Sequence, residues 1–348
     1  SSYADSDELT ALCEVVREYG GFYATHLRNE EDELEEAVQE ALTVAERATV
    51  PLQLSHHKAE GAFNWGKVNR TLRMVEKARD SGLDVQLDQY PYTAFMTGLA
   101  IQCLPVSLRG RSPEQLSAML NDASQRADVA RMILEAHPTW SERGEHSFFS
   151  NVQIGVCRAK PQLQGYTIAA LAAIAGCEPL EYMLDLLRDT GGYVSAVNFA
   201  ISEEDIATVM RFPWTSIGSD GLGTRPEGAA AADLIHPRAY GAFPRVLGRY
   251  ARELGVISEQ EAVWKMTGLP AQRLGLSRKG AIKVGYDADI TVYNRQTVRD
   301  RATFAEPHQY AQGIEFVLVN GRFALREGEL TGALSGKILR PSLDRAGR

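Results

Sequence analysis

The chain has 348 residues, of which 44% are hydrophobic and 24% are charged, and its net charge at pH 7 is −8. These proportions are typical of folded globular proteins, so they exclude a disordered, collagen-like or coiled-coil chain. The acidic balance argues against nucleic-acid binding, which needs a basic surface.

The cysteines and the apolar runs restrict the compartment. The four cysteines include no Cys-x-x-Cys pair, so the sequence indicates neither a zinc knuckle nor a disulfide framework. Such sparse cysteines fit a reducing cytoplasm, which we predict as the location. No apolar run approaches the length that crosses a bilayer, so we expect no membrane partner.

The first hundred residues alternate helical and strand-like patterns. We predict helices at about 9–19, 31–49 and 69–80, and extended segments at 21–26, 50–56 and 84–92. Because strands that alternate with helices usually lie parallel to one another, this rhythm predicts a parallel sheet or barrel.

The rhythm stops between about residues 105 and 166, where aromatic residues lie in a polar stretch without clean periodicity, and we predict an insertion there. Beyond it the pattern returns. We predict helices at 168–175 and 179–187, a strand at 193–199, a helix capped by Ser202 with Asp205 at the capping-box position, and a strand at 215–220.

From about residue 278 the pattern changes to short β segments separated by glycines. We predict strands at 280–284, 288–293, 316–319 and 322–325, with Asn320-Gly321 as the turn of a hairpin. We therefore divide the chain into residues 1–277, which include the insertion at about 105–166, and a C-terminal portion with its tail at 278–348.

Three predicted strands end in residues that can bind a metal ion, namely His26, His56 and Asp220. In a barrel of parallel strands, the C-terminal strand ends all face one mouth, so residues far apart in sequence can converge on one ion. Imidazole and carboxylate are good zinc ligands. On the residues alone, the alternatives are a satisfied polar side chain at each histidine and an ordinary Ser-Asp-Gly turn at Asp220.

Seven short stretches, spread over nearly the whole chain, form a distinctive series. They are YATHLRNE at 23–30, SHHK at 55–58, DQYPY at 88–92, GSDG at 218–221, HPRAYGAFPRVLGRY at 236–250, MTGLPA at 266–271 and GYDADI at 285–290. In this order they resemble the D-aminoacylase (N-acyl-D-amino-acid deacylase) family of the amidohydrolase superfamily. The last stretch is common to many amidohydrolases, whereas SHHK and HPRAYG are more specific to the D-aminoacylases.

The resemblance implies an α/β fold, a TIM-like (β/α)8 metal-dependent hydrolase barrel with a small β-sandwich and an insertion. Strands five to eight of the barrel would lie in this sequence. The family's His-x-His pair and its zinc-ligating cysteine have no counterpart here. We therefore expect the N-terminal half of the barrel to be a separate segment or chain, and the resemblance also leaves room for a homo-oligomer.

The resemblance also assigns roles at the site. It implies one or two zinc ions, with His26 and His56 as ligands, and Asp220 as both a metal contact and the general acid/base. Lys58 would recognise the substrate, and an ammonium group there is suited to its α-carboxylate. A solvated loop charge is the alternative for Lys58.

Four more residues have expected roles at the site. Tyr92 lies where the family recognises the substrate, and Tyr90 is close by, so both are expected to bind it. Arg28 and Glu30 would support the ligand loop from behind. Arg225 follows the catalytic strand in a long loop, where it would either pair with an acidic substrate side chain such as that of D-glutamate or remain a solvated charge.

The reaction implied is hydrolysis of the acyl amide bond of an N-acyl-D-amino acid, a small-molecule substrate, to a carboxylate and a D-amino acid. Two alternatives remain open. One is another amidohydrolase reaction, such as hydrolysis of a cyclic amide or a dipeptide. The other is a non-catalytic binding subunit that has kept the fold.

Overall fold

The computed structural model describes residues 3–141 and 147–340. Part of the predicted insertion, 142–146, and the predicted tail at 341–348 lie outside the described residues. Within the described residues the strands are β1 (Tyr23–Thr25), β2 (Leu52–Leu54), β3 (Val85–Gln89), β4 (Phe95–Gly98), β5 (Val152–Ile154), β6 (Ser195–Asn198), β7 (Thr215–Ile217), β8 (Ile290–Tyr293), β9 (Ile314–Val319), β10 (Arg322–Arg326) and β11 (Glu329–Leu330).

Helices lie between most of these strands. In the described residues they are α1 (Ser6–Glu18), α2 (Leu34–Ala48), α3 (Val68–Asp80), α4 (Leu99–Cys103), α5 (Val106–Arg109), α6 (Pro113–Asn121), α7 (Ala123–Ala136), α8 (Phe148–Asn151), α9 (Ile168–Ala175), α10 (Pro179–Thr190), α11 (Glu203–Arg211), α12 (Arg238–Arg245), α13 (Glu259–Met266) and α14 (Gly268–Arg273). A π-helical turn, Val246–Glu253, continues α12.

The parallel sheet has the strand order β1-β2-β3-β7, and every neighbouring pair is parallel. The strands are short. β2, β3 and β7 are largely buried, whereas β1 is partly exposed. The apolar face of α2, including Val38 and Leu42, packs in the same core as Leu52 and Leu54. This alternation of strand and helix confirms the predicted α/β class with a parallel sheet. The numbering of these strands as five to eight of a barrel stays a prediction.

One predicted strand belongs to a different sheet. The segment predicted at 193–199 forms β6, which pairs antiparallel with both β4 and β5 and not with the parallel sheet. This antiparallel unit has its own hydrophobic core, with members from Leu99 to Ala196. At its base, Ile201 N–H donates a hydrogen bond to the Thr93 carbonyl at 3.0 Å. We therefore propose that the insertion runs from Thr93 to Ile201, wider than the predicted 105–166.

The C-terminal residues form one antiparallel sheet in the order β11-β10-β9-β8. The predicted hairpin is confirmed, because Asn320 and Gly321 have φ values of 50° and 77° and connect β9 to β10. The predicted strand at 280–284 is wrong, since these residues form turns and irregular backbone. The division of the chain at 277/278 stays a prediction.

The cap of α11 differs in one detail from the prediction. Ser202 caps the helix by accepting from the backbone N–H groups of Glu204 and Asp205 at 3.1 and 3.4 Å. The Asp205 carboxylate does not complete the predicted capping box, because both of its oxygens accept from Gly66 N–H at 3.0 Å. It therefore ties α11 to the loop after β2. Among the described residues, no helix combines the length and apolar character that a membrane span requires.

Candidate active site

The C-terminal ends of the parallel strands open into a cavity of about 370 Å³. His26 follows β1, His56 follows β2 and Asp220 follows β7, and all three side chains line this cavity. The structure therefore brings together the three residues that the sequence placed at strand ends. We call this space the catalytic cavity.

The two histidines face each other. Nδ1 of His26 lies 2.9 Å from Nε2 of His56, and the ring centroids are 4.7 Å apart. The His56 backbone has a φ of 39°, in the left-handed region that most residues avoid. Asp88 stabilises this turn, since its Oδ1 accepts from His56 N–H at 2.8 Å and its Oδ2 accepts from Gln53 Nε2 at 2.7 Å. Burial raises the pKa of the Asp88 carboxyl despite these hydrogen bonds.

A buried charged cluster lies behind His56. The Lys58 ammonium donates to Glu30 Oε2 at 2.5 Å and lies 3.4 Å from Glu60 Oε1. Glu30 Oε1 is 3.2 Å from His56 Nδ1, so Glu30 contacts both the lysine and the histidine. This arrangement matches the predicted role of Glu30 as a support for the ligand loop.

The pKa values in this cluster follow from burial and charge. Burial would raise the pKa of Glu30, but the Lys58 charge and the His56 hydrogen bond outweigh it and lower the pKa to about 2. Burial would lower the pKa of Lys58, but Glu30, Tyr90 and Glu60 outweigh it and raise it. Burial raises the pKa of Glu60 well above the usual value. Glu30 and Lys58 are therefore an ion pair at neutral pH, and burial favours the neutral form of Glu60.

Lys58 lines the catalytic cavity, but its ammonium group already has two acidic partners. Its side chain is only 7% exposed. A substrate carboxylate would compete with Glu30, which holds the lysine at hydrogen-bond distance. The predicted contact between Lys58 and the substrate stays a prediction.

Asp220 is three residues beyond β7, with a φ of 47°. Its Oδ2 lies 2.7 Å from Nη1 of Arg238, in an ion pair whose N–H is not aligned as a hydrogen bond. The Arg238 guanidinium also lies 4.5 Å above the ring of Tyr90. Asp220 thus reaches the cavity together with a buried cation.

The other predicted substrate residues lie in different places. Tyr90 lines the catalytic cavity, and its buried hydroxyl has no hydrogen-bond partner among the described residues. Tyr92 does not line this cavity, because its ring packs edge-on against His236 and its hydroxyl donates to Asp300 at 3.5 Å. Arg225 is exposed and lies outside the cavity lining, which favours a solvated loop charge at that position.

The donor set fits a zinc ion. Two nitrogen ligands at about 2.0–2.1 Å from a tetrahedral zinc lie about 3.3 Å apart, and the His26 and His56 nitrogens are already at 2.9 Å. His56 Nδ1 faces Glu30, and a carboxylate behind a ligating histidine is common at metal sites because it fixes the tautomer. Ligand atoms of His26, His56 and Glu30 all lie within 4.8 Å of one another. The predicted contact between Asp220 and the metal stays a prediction.

Three residues of the site had no role assigned from the sequence, namely Asp88, Glu60 and Arg238. Asp88 and Arg238 both lie inside the distinctive stretches, and Asp88 precedes the end of a predicted strand. Their positions in the sequence could therefore have indicated a role at the site. The position of Glu60 gave no such indication, because its contact with Lys58 depends on how the loop after β2 folds back.

Comparisons with known proteins agree with this geometry. The family model described as "Amidohydrolase family" matches residues 1–324. The D-aminoacylase of Alcaligenes xylosoxydans xylosoxydans is 35% identical over 338 residues, which cover 97% of this chain and 58% of the relative. The chain therefore spans a little over half the length of this curated relative.

Solved structures give the same result. A crystal structure of D-aminoacylase superposes with a TM-score of 0.76 at 31% identity, covering 97% of this chain and 60% of the other. The N-acyl-D-glutamate deacylase of Bordetella bronchiseptica, solved with zinc and a phosphonate inhibitor that mimics the tetrahedral intermediate, gives a TM-score of 0.73 at 31% identity. It covers 95% of this chain and 60% of its own. These findings confirm the resemblance seen in the sequence, and the chain belongs to the amidohydrolase family.

Proposed function

We propose that the protein containing this chain hydrolyses the acyl amide bond of N-acyl-D-amino acids with the help of zinc, releasing a carboxylate and a D-amino acid. The observation that carries the proposal is the convergence of His26, His56 and Asp220 on one cavity at the ends of parallel strands. The similarity to D-aminoacylase and to a zinc-bound N-acyl-D-glutamate deacylase supports the substrate class.

His26 and His56 would hold the zinc ion, with Glu30 orienting His56 from behind. A bound zinc polarises a carbonyl and lowers the pKa of water towards neutrality. Glu30 Oε1 and the Lys58 ammonium both contact His56 Nδ1, at 3.2 and 3.1 Å, and they orient the ring so that Nε2 faces His26, where the metal would bind.

Asp220 is the group that we assign to proton transfer. Its carboxylate is 43% exposed in the cavity, so it can take a proton from water and return it to the leaving amine. The Arg238 ion pair holds this carboxylate in place when no substrate is bound. Asp220 must leave Arg238 to act at the scissile bond, and the guanidinium is then free for an anion.

The same exchange suggests how the substrate carboxylate is bound. Arg238 is buried and lies beside Asp220, and a guanidinium pairs well with a carboxylate in a fork geometry. We infer that the α-carboxylate of the substrate replaces Asp220 on Arg238, and that the unpartnered Tyr90 hydroxyl donates a further hydrogen bond. This assigns to Arg238 the role that the sequence suggested for Lys58.

The test uses the full-length, zinc-loaded protein and matched N-acetyl-D and N-acetyl-L amino acids, with release of free amino acid as the measurement. We expect turnover of the D series only, and a loss of at least about a hundredfold in kcat for Asp220→Asn. The control is Asn294→Asp in the C-terminal sheet region, which should retain the wild-type rate. No turnover of either series would contradict the proposal and favour a cyclic-amide or dipeptide hydrolase, or a non-catalytic subunit.

We also propose a cytoplasmic location. Cys13, Cys103 and Cys157 are buried free thiols, and Cys177 is an exposed free thiol. Such thiols persist in a reducing compartment, which supports the prediction made from the cysteine composition. Labelling of Cys177 in intact cells by a permeant but not by an impermeant thiol reagent would support this location, and labelling by both reagents would contradict it.

A further inference from the structure

A second cavity adjoins the catalytic cavity. It encloses about 290 Å³ between the loops that follow β1 and β2 and the antiparallel unit. Glu31, Glu60 and His137 line both cavities, so the two spaces share a wall. We call the second space the aromatic cavity.

Aromatic side chains dominate its lining. Phe63 and Trp65 lie on the loop after β2 and are 59% and 42% exposed, which is unusual for side chains of this size. On the opposite side, Trp140 stacks on Phe148 with ring centroids 3.4 Å apart, and His137 stacks on Trp140 at 3.9 Å. Trp140 is thus covered on both faces within a buried stack, and the exposed aromatic surface of the lining comes from Phe63 and Trp65.

Hydrogen bonds fix the walls of the aromatic cavity before any ligand binds. Trp65 Nε1 donates to the Ala200 carbonyl at 2.9 Å, and Gly61 N–H donates to the same carbonyl at 2.9 Å. Asn64 Nδ2 donates to the Glu60 carbonyl at 2.8 Å, which closes the loop on itself. These contacts fix the loop after β2 to the antiparallel unit, so a ligand would find the aromatic walls already in position.

The two cavities differ in charge. The catalytic cavity is lined by four basic residues, Arg28, Lys58, Arg109 and Arg238, and by four acidic ones, Glu30, Glu31, Glu60 and Asp220. None of the described residues that line the aromatic cavity is Arg or Lys, and its acidic members include Glu31 and Asp32. An anionic group therefore finds cationic partners in the first cavity and none among the described residues of the second, where it is disfavoured.

An N-acyl amino acid has two unlike halves on either side of its amide bond, an anionic amino acid and an uncharged acyl group. We propose that the aromatic cavity binds the acyl half and that the protein prefers an uncharged aromatic acyl group, such as phenylacetyl. This inference rests on the proposed function. The catalytic cavity takes the carboxylate of the amino acid, beside Arg238, and the scissile bond, beside His26 and His56, and the acyl group extends past the shared wall into the aromatic cavity.

The test compares the kcat/KM values of N-phenylacetyl, N-acetyl and N-succinyl derivatives of one D-amino acid, on the full-length, zinc-loaded protein. The wild type should prefer phenylacetyl to acetyl by roughly tenfold, since aromatic contacts of this kind contribute about that factor. Succinyl, which adds a negative charge, should be the poorest of the three. Phe63→Ala should reduce the phenylacetyl-to-acetyl ratio by roughly tenfold, because it removes one aromatic wall.

The matched control is Phe323→Ala. Phe323 is 39% exposed on β10 and lines neither cavity. The phenylacetyl-to-acetyl ratio of the Phe323→Ala variant should therefore equal that of the wild type. A second readout needs no turnover, because phenylacetate should inhibit the wild type at a lower concentration than acetate does, and Phe63→Ala should narrow the difference.

The outcomes separate the two proposals. If the wild type hydrolyses the N-acetyl substrate but Phe63→Ala leaves the ratio unchanged, the acyl subsite is wrong and the proposed function stands. If, in a parallel series of N-acetyl-D-amino acids, Phe63→Ala lowers kcat/KM more for larger amino-acid side chains, the orientation is wrong. If the wild type hydrolyses none of the three substrates, both the function and the subsite are wrong.

Discussion

His56 and Asp220 both lie just beyond a strand and both have left-handed backbone angles. For a residue with a side chain this conformation costs about 1 kcal/mol or more, so the surrounding contacts must hold it. Asp88 holds His56 through its N–H, and Arg238 holds Asp220 through its carboxylate. With these backbone angles, both side chains line the catalytic cavity.

The buried Glu30–Lys58 pair allows a stability test. Lys58→Met would leave the carboxylate of Glu30 buried beside Glu60, so we expect the free energy of unfolding to fall by about 3–5 kcal/mol. The double variant Glu30→Gln/Lys58→Met should recover at least half of that loss. Urea denaturation measures both, and an equal loss in the single and the double variant would contradict the pairing.

The control for this experiment is an exposed pair. Arg47 and Asp7 lie 2.7 Å apart with side chains 47% and 82% exposed. Solvent screens such a pair, so Arg47→Met should change the free energy of unfolding by less than about 1 kcal/mol.

His236 gives a prediction about pH. Its Nδ1 must accept, because the Arg238 N–H at 3.0 Å can only donate, and its Nε2–H donates to the Ala94 carbonyl at 2.9 Å. Burial and the Arg238 charge lower the pKa of His236 to about 3, against about 6.5 in an unfolded chain. Between these values the unfolded state binds the proton and the folded state does not. The free energy of unfolding therefore falls as the pH drops from about 6.5 towards 3, by up to about 1.4 kcal/mol per pH unit from this group.

The measurement is urea denaturation at pH 7 and pH 4.5 for the wild type and His236→Gln. Carboxylates also contribute to the pH dependence, so the comparison between the two proteins isolates the histidine. We expect the variant to lose less stability than the wild type between the two pH values. An identical loss would show that His236 is not held neutral in the folded state.

At this scale the sequence predicted positions better than contacts. The convergence of His26, His56 and Asp220 followed from their places at strand ends, because parallel strands present those ends on one side. Tyr90 and Tyr92 both follow the end of β3 at Gln89, where no strand geometry determines the direction of a side chain, and only Tyr90 lines the catalytic cavity. The contacts of Lys58 with Glu30 and Glu60 depend on the conformation of the loops, and no local sequence pattern predicts that conformation.

At the scale of elements, α12 connects the candidate site to the rest of the fold. Pro244 lies inside this helix and lacks the N–H for the usual hydrogen bond, and the backbone continues as the π-helical turn Val246–Glu253. Arg245, at the junction, donates to the Pro91 carbonyl at 2.9 Å and to Asp300 at 2.9 Å. The helix that begins at Arg238 is thus fixed at its other end against two separate segments.

The close packing of this turn gives a test in which two effects oppose each other. Alanine is favoured over glycine in an exposed helix by about 1 kcal/mol. A Cβ on Gly248, however, would lie 2.6 Å from the Val298 carbonyl oxygen and 3.2 Å from Arg299 Cα, and both are backbone atoms. We therefore expect Gly248→Ala to lower the free energy of unfolding by about 2 kcal/mol.

Gly336→Ala is the matched control, since no atom lies within 4 Å of its added Cβ. Its free energy of unfolding should stay within about 0.5 kcal/mol of the wild type. A Gly248→Ala variant as stable as this control, measured by urea denaturation, would show that the contact with Val298 is loose.

The elements themselves were largely predictable from periodicity, whereas their partners were not. The strand at 193–199 has the composition expected of a strand, and it is one, as β6. Its pairing with β4 and β5 in place of the parallel sheet depends on contacts across more than forty residues of sequence. Short-range patterns carry no information about such pairings.

At the scale of the whole molecule, the loop at 221–235 joins three parts of the fold. Its ends meet through the Asp220–Arg238 ion pair, and His308 Nε2–H donates to the Asp233 carbonyl at 2.8 Å from the segment that leads to the C-terminal sheet. From the antiparallel unit, the Gln164 side chain accepts from Leu234 N–H at 3.1 Å. The loop beside the catalytic cavity is thus anchored from both sides.

We expect Gln164→Ala to loosen this loop without changing the catalytic groups. Hydrogen–deuterium exchange of the peptide covering residues 221–235 should speed up, and KM should rise more than kcat falls, because the loop connects Asp220 to Arg238 in the catalytic cavity. Gln309→Ala is the control, since within residues 3–141 and 147–340 that side chain forms hydrogen bonds to Glu306 and to no residue of the loop. Unchanged exchange in Gln164→Ala would mean that the loop is held by its other contacts alone.

The hydrogen bond between Ile201 and Thr93 has a consequence for evolution and engineering. Because the chain leaves and rejoins the parallel part at adjacent backbone positions, the antiparallel unit can be gained, lost or exchanged by recombination without altering the strands on either side. Its separate core favours such transfer. A chimera that receives this unit from a relative would import a new wall for the aromatic cavity while keeping its own metal ligands.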